Sequence, residues 1–363
     1  MSDGIRLDLE SQRISREQSD LIGENQTMLG AIIGDIVGSR FEFHNHRSKD
    51  FELFAEGCFA TDDSIMTLAV AKALMEAEKI IGQDGMSDDF DETHSQLLGN
   101  QAVEYMQKIG RKYPHCGYGG RFGRWMFSDN PKPYDSFGNG AAMRISPVGF
   151  IARTENEVIR LSEIITAVTH DHEEGIKGAE ATALVIFWAR QGLLKSQIRD
   201  KITRDYSLDF KIDDIRRTYT FNETCQKTVP QAIECFLESQ SFEDAIRTAI
   251  SLGGDSDTIA AITGSMAEAY YGVPEAIKDK ALAYLDEELR AIYDAWEKFA
   301  PMDDERFKGL TKDIDWQRHE RSVTKIEFEI GGYFSGYTTY SLTFDADRAE
   351  RYQKNNRDEN CAV

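Results

Sequence analysis

Residues 28–43 read MLGAIIGDIVGSRFEF, with Gly30, Gly34 and Gly38 falling four apart. Positions four apart share a helix face, so this spacing predicts a helix with one smooth side that a second backbone can approach closely. Apolar texture starts sharply at Met28. Residues 1–27, whose only sizeable apolar side chains are Ile5, Leu7, Leu9, Leu21 and Ile22, predict a polar extension outside the core.

Downstream of Met28 the helical period dominates. Val158, Leu161, Ile164, Ile165 and Val168 mark one helix face, and the run Ala179 to Trp188 predicts a well-buried second helix. Segments 64–80, 230–238, 243–252, 257–271 and 275–298 read the same way, with Gly272, Val273 and Pro274 as a stop signal after Tyr271. The stretches YPHCGYGGRFGRW (113–125) and SFGNGAAMRISPVG (136–149) are too rich in Gly, Pro and aromatic residues for long helices; they predict functional loops. The fold class expected is all-α, a compact multi-helix domain over residues 28–304. In residues 305–363, Ile326, Phe328 and Ile330 alternate, Gly331 and Gly332 follow, and Tyr340, Leu342 and Phe344 alternate again. This predicts a small appended β-hairpin and then a polar tail after Arg348.

The 363 residues carry 42 Lys and Arg against 63 Asp and Glu, a net charge of −21, with 41% hydrophobic residues. That suffices for one large domain, or for a domain with appendages. It argues against nucleic acid as a partner, because phosphate recognition starts from a basic patch, and favours metal cations or a basic protein. Cys58, Cys116, Cys225, Cys235 and Cys361 are odd in number and scattered with no CxxC pair, which suggests neither a disulfide framework nor a thiolate zinc site. With no export signal and no apolar run of membrane-spanning length, the expectation is a cytoplasmic protein without a membrane partner.

Two short motifs carry possible chemistry. Thr61, Asp62, Asp63 and Ser64 precede one apolar helix, and Gly253, Gly254, Asp255, Ser256, Asp257 and Thr258 precede another. Either set can cap its helix. A single cap, however, needs only one such side chain, and carboxylates two apart in a glycine-opened loop also suit a hard divalent cation. Glu42, between Phe41 and Phe43, reads alone as an exposed residue flanked by packing aromatics. The segment Gly138, Asn139, Gly140, Ala141, Ala142, Met143, Arg144 reads as a glycine-rich turn, or as small residues and backbone amides that admit a pyrophosphate. His170 and His172 can cap a helix C-terminus; with His44 and His46 they also invite a zinc reading, the weaker of the two.

Five ordered blocks, MLGAIIGDIVGSRFEF, FATDDSIMTLAVAKAL, GNGAAMRISPVG, VTHDHEEGIKGAEA and LGGDSDTIAAITGSMAEAYYGVP, together resemble the ADP-ribosylglycohydrolase family, to which dinitrogenase reductase-activating glycohydrolase belongs. The resemblance spans about residues 28 to 300 and implies an all-α fold holding two Mg²⁺ or Mn²⁺ ions. It implies metal ligation by Thr61, Asp62, Asp63, Asp255, Asp257 and Thr258, with one aspartate shared. It makes Glu42 the general acid/base, with Asp62 and Asp257 completing the catalytic set, and leaves Asp35 a supporting role. It places diphosphate and ribose contacts at Gly138 to Arg144, and His170 and Tyr118 in the ligand pocket, with Tyr118 or Phe137 to stack on adenine. The function implied is removal of ADP-ribose from modified protein side chains, arginine-linked in the first instance and serine-linked on similar scaffolds. An alternative is an immunity protein that occludes an ADP-ribosyltransferase toxin through the N-terminal extension, with or without hydrolysis. A third reading, a relative without activity, sits poorly with the presence of both aspartate clusters.

Overall fold

A computed structural model describes residues 27–81 and 92–299. Nearly all of the N-terminal extension, the C-terminal hairpin and the polar tail, and with them the expectation of a toxin-binding arm, lie outside the described residues. Within them regular structure is helical, with one isolated antiparallel bridge between Gly138 and Thr224, so the fold is all-α. The longer helices are α1 (Leu29–Gly38), α2 (Asp62–Ile81), α3 (Glu92–Gly110), α4 (Glu155–Ala167), α5 (Glu173–Arg190), α6 (Cys225–Glu238), α7 (Phe242–Leu252), α8 (Ser256–Tyr271) and α9 (Glu287–Phe299). No helix among the described residues is long and apolar enough to cross a membrane.

The glycine face of α1 meets α8. A Cβ on Gly30 would run into the Gly264 carbonyl, one on Gly34 into that of Ala260, and one on Gly38 would lie 2.5 Å from Asp257 Cα. Side chains larger than hydrogen would force the two backbones apart. Every residue of α1 is buried, and α8 in turn packs on α5, α6 and α7, while α2 lies between α1 and the pair α3 and α9. Each of the fully buried Leu29, Ile32, Ile33 and Ile36 contributes about 1.5–3 kcal/mol of transfer free energy to this centre.

The start of α1 is fixed from a distance. Glu268 of α8 accepts hydrogen bonds from Thr27 N (2.6 Å) and Gly30 N (2.6 Å), and Thr27 Oγ1 lies 2.9 Å from Tyr293 Oη of α9. The bond to Gly30 N satisfies an amide that the helix N-terminus leaves open, and those of Thr27 fix the chain just before the helix.

Two expectations are corrected. The segment 275–298 is not one helix but Glu275–Leu282 followed by α9, because Asp286 Oδ1 accepts from Leu289 N (2.9 Å) and starts a new helix there. His172 does not close the helix before it. Its Nδ1 accepts from Glu174 N (3.1 Å) and so caps the N-terminus of α5.

Candidate active site

The N-termini of α2 and α8 are brought together by α1. Asp35 of α1 is fully buried and accepts from Thr61 N (2.9 Å), Thr61 Oγ1 (2.5 Å), Ser64 N (3.1 Å) and Ser64 Oγ. The cap of α2 is thus supplied by another helix, which leaves the carboxylates of Asp62 and Asp63 for other work. Burial raises the Asp35 pKa to about 6 even against these donors.

The two acidic motifs meet in space, with Thr258 Oγ1 3.3 Å from Asp63 Oδ2. Carboxylate oxygens of Asp35, Asp63 and Asp257 lie within 4.8 Å of one another, and so do those of Glu42, Asp255 and Asp257. Asp257 is therefore common to both groups. Asp62 belongs to neither; its amide donates to the Cys116 carbonyl (2.7 Å), and its Oδ1 is 2.6 Å from where a Cβ on Gly117, at φ +99°, would stand. The Thr61 hydroxyl donates to Asp35 and lies 3.4 Å from Asp63 N.

Burial, then mutual repulsion, pushes the pKa values of Asp62, Asp63 and Asp257 well above the usual carboxylate range. Asp63 Oδ1 is buried with no hydrogen-bond partner. Several buried carboxylates with an unmet acceptor among them are costly for a folded chain. An all-oxygen donor set of this kind is met by a hard divalent cation, so the residues fit such a group.

Glu42 follows the short 3₁₀ turn Ser39–Phe41 at the end of α1 and is half-buried. Burial, then the charges of Asp255, Asp35 and Glu223, raises its pKa to about 7. Its loop is tied to the second motif by Asn45, whose Nδ2 donates to Phe41 O (3.0 Å), Glu42 O (3.0 Å) and Gly254 O (2.9 Å) and whose Oδ1 accepts from Gly254 N (2.8 Å). Arg47 donates to the carbonyls of Leu252, Arg216 and Tyr219 beside it. Gly253 and Gly254 have φ +71° and +75°, a region that L side chains rarely adopt, which suits the sharp entry to α8.

The glycine-rich turn forms the neighbouring wall. Asn139 N donates to Glu223 O (2.8 Å), and its Nδ2 donates to Asp255 Oδ2 (2.6 Å) and Thr228 Oγ1 (3.2 Å). This loop therefore holds one of the carboxylates directly. His170 is buried beneath it, with Nε2 3.4 Å from the Cβ position of both Gly138 and Gly140. Arg144 Nη2 donates to His170 Nδ1 (3.2 Å) and Thr169 Oγ1 (2.5 Å). A guanidinium only donates, so Nδ1 accepts and the neutral ring carries its proton on Nε2, toward the glycines. Burial and the Arg144 and Arg121 charges hold the His170 pKa well below its ordinary value.

Arg144 itself is 1% exposed, with its guanidinium 5.2 Å from the Phe122 ring centroid, and Ala141, Ala142 and Met143 are buried with it. Tyr118 stacks on Phe122 at 5.6 Å, and Phe137 is 41% exposed against His172. Among the described residues, no histidine enters a candidate metal group, and His46 Nε2 bonds instead to Asp50 O (3.1 Å).

A family model described as ADP-ribosylglycohydrolase matches residues 25–310. The chain belongs to the ADP-ribosylglycohydrolase family. It is 28% identical to ADP-ribosylhydrolase ARH3 of Mus musculus, over 69% of this chain and 84% of the relative, and 26% identical to that of Homo sapiens, over 73% and 90%. A solved structure titled ADP-ribosylglycohydrolase-related protein complex superposes with a TM-score of 0.52 at 21% identity, covering 78% of this chain and 98% of the other. That likeness is one of fold. In this family member Asn45 and Glu223 escaped sequence reasoning, and Asn139 was expected among the substrate contacts but not as the partner of Asp255. The only signal for Asn45 was its place beside Glu42, and Asn139 was read for its backbone rather than its amide.

Proposed function

We propose that this chain is a divalent-cation-dependent hydrolase that releases ADP-ribose from modified protein side chains, with ADP-ribosyl-arginine as its substrate. The observation that carries this reading is the convergence of two carboxylate groups sharing Asp257, beside the buried and unpartnered oxygen of Asp63. Asp63, Asp257 and Thr258, with Thr61 and Asp62 at the start of α2 and Asp255 opposite, would hold two Mg²⁺ or Mn²⁺ ions. When bound, these ions supply Lewis acidity and fix the ribose hydroxyls.

The chain's own residues do the rest. Asp35 keeps the Thr61–Ser64 turn in place, and Asn139 and Asn45 hold the Asp255 and Glu42 loops in register. The small residues at Gly138 to Ala142 admit the pyrophosphate, with His170 Nε2–H beneath. The bond from the ribose anomeric carbon to the guanidino nitrogen breaks, a water oxygen takes its place on carbon, and the nitrogen leaves with a proton. Glu42, half-buried with its carboxylate beside those of Asp255 and Asp257, is suited to take the water's proton and return one to the leaving nitrogen.

Incubation with arginine-linked and serine-linked ADP-ribosyl peptides, in Mg²⁺, Mn²⁺ or chelator, tests the reading by free ADP-ribose. Cation-dependent release from the arginine-linked peptide is expected. Absence of release from both peptides at saturating cation would overturn it.

A further inference from the structure

At the outer edge of the site two exposed aromatic rings meet. Phe43 and Phe221 lie near-parallel, centroids 6.1 Å apart and 24° between planes, while Phe43 is 76% and Phe221 41% exposed. Exposed large apolar side chains scattered singly need no explanation, but a pair delivered by two distant loops to one spot does. Both loops are tied to the site. Phe43 follows Glu42, whose carbonyl is held by Asn45 (3.0 Å). Phe221 follows Tyr219 and Thr220, which pack against Gly254, and precedes Glu223, whose carbonyl is held by Asn139 N (2.8 Å). The Glu223 side chain is exposed, and its negative charge reaches both Glu42 and Asp255.

We propose that the exposed face of the Phe43–Phe221 pair, with the Glu223 carboxylate, forms the subsite for the guanidinium of an ADP-ribosylated arginine. The inference rests on the hydrolase reading and assigns residues to its leaving group. A guanidinium is planar, permanently charged and weakly hydrated, so it stacks on aromatic rings and pairs with carboxylates. A nucleobase could also stack here, but its diphosphate would then lie beside Glu42 and Glu223, which repel it. A serine hydroxyl uses neither the ring face nor the charge. The cationic side chain is the occupant that both features favour.

The test uses the full chain with Mg²⁺ and the variants Phe43→Ala, Phe43→Leu, Phe221→Ala and Glu223→Gln. KM and kcat are measured on both peptides, and calorimetry gives the Kd of ADP-ribose and, in its presence, of agmatine as a guanidinium probe. Each variant is expected to raise KM for the arginine-linked peptide and weaken agmatine about 5- to 10-fold, with kcat and the ADP-ribose Kd within about two-fold. Phe43→Leu keeps apolar contact but lacks the π face, so it should behave like Phe43→Ala. Unchanged agmatine affinity, or an equal rise in KM for the serine-linked peptide, overturns the subsite. If the unaltered protein hydrolyses neither peptide, the hydrolase reading fails, and the agmatine titrations alone still decide for or against a guanidinium site.

Discussion

Gly38→Ala is a small change that reaches the clustered carboxylates from outside them. The added Cβ would stand 2.5 Å from Asp257 Cα, 2.8 Å from Asp257 N and 2.9 Å from Ser256 O. All three are backbone atoms, so no side chain can swing away, and the nearest contact falls roughly 0.9 Å short of the 3.4 Å at which ordinary packing begins. Either α1 retreats or the first turn of α8 shifts, at a cost of about 1–3 kcal/mol for overpacking. Because Asp257 is the residue common to both carboxylate groups, a displacement near 1 Å there should also lower hydrolysis about 100-fold. Gly99→Ala in α3 is the matched control. Its Cβ would meet Ile164 and Val168 at 3.9 Å, ordinary contact, so it should gain up to about 1 kcal/mol from helix propensity with activity intact. Denaturant unfolding and ADP-ribose release, measured on both variants at saturating Mg²⁺, check the pair. Full stability and activity in Gly38→Ala would refute the close crossing and its link to the site.

The raised pKa values of Asp35 (about 6), Glu42 (about 7), Asp63 and Asp257 mean that the folded chain keeps protons which the unfolded chain releases near pH ~4. Metal-free protein should therefore lose stability as pH rises through 4 to 7, and added Mg²⁺, which needs the deprotonated groups, should stabilise it more at pH 8 than at pH 5. Melting temperatures with and without Mg²⁺ across that range check this, and a pH-independent effect of the cation counts against it. Asp35→Asn should destabilise by about 2–3 kcal/mol in urea unfolding, since the amide group turns a donor toward the Thr61 and Ser64 donors. Asn45→Ala should reduce turnover about 10-fold while costing only ~1 kcal/mol, because it frees the Glu42 loop from Gly254 without opening the core; equal losses with any loop alanine would remove its special role.

The helices legible in the sequence were those whose cause is local. The Val158, Leu161, Ile165 stripe is buried in α4, and Thr154 caps that helix through Glu157 N (3.1 Å). The glycine spacing in 28–43 announced a close crossing but not its partner, because the matching small residues, Ala260 and Gly264, sit in an unremarkable apolar run more than two hundred positions later. The break between Leu282 and α9 depends on one aspartate accepting one amide, a choice that periodicity does not register. Helix α3 buries Leu98, Ala102, Met106 and Ile109 at helical spacing, yet its many polar residues kept it from standing out.

The site divides along the same line. Asp62, Asp63, Asp255 and Asp257 were legible as pairs because each pair lies within one turn of chain before a helix. What makes them a site is relational. Asp35 was the weaker candidate in its segment, but by capping α2 from α1 it relieves two neighbouring carboxylates of that task, which no inspection of residues 61–64 alone could reveal. Asn45 lies between His44 and His46, which invited a zinc reading, whereas its amide joins two loops that meet only in the folded chain. Arg144, which the family resemblance put among the diphosphate and ribose contacts, is buried and aims its donors at His170 and Thr169. Its effect on a ligand would pass through the histidine tautomer it selects. Sequence motifs thus pointed to where acidic oxygen atoms collect, while the groups that orient those atoms become visible only once helix crossings bring distant positions within hydrogen-bond range.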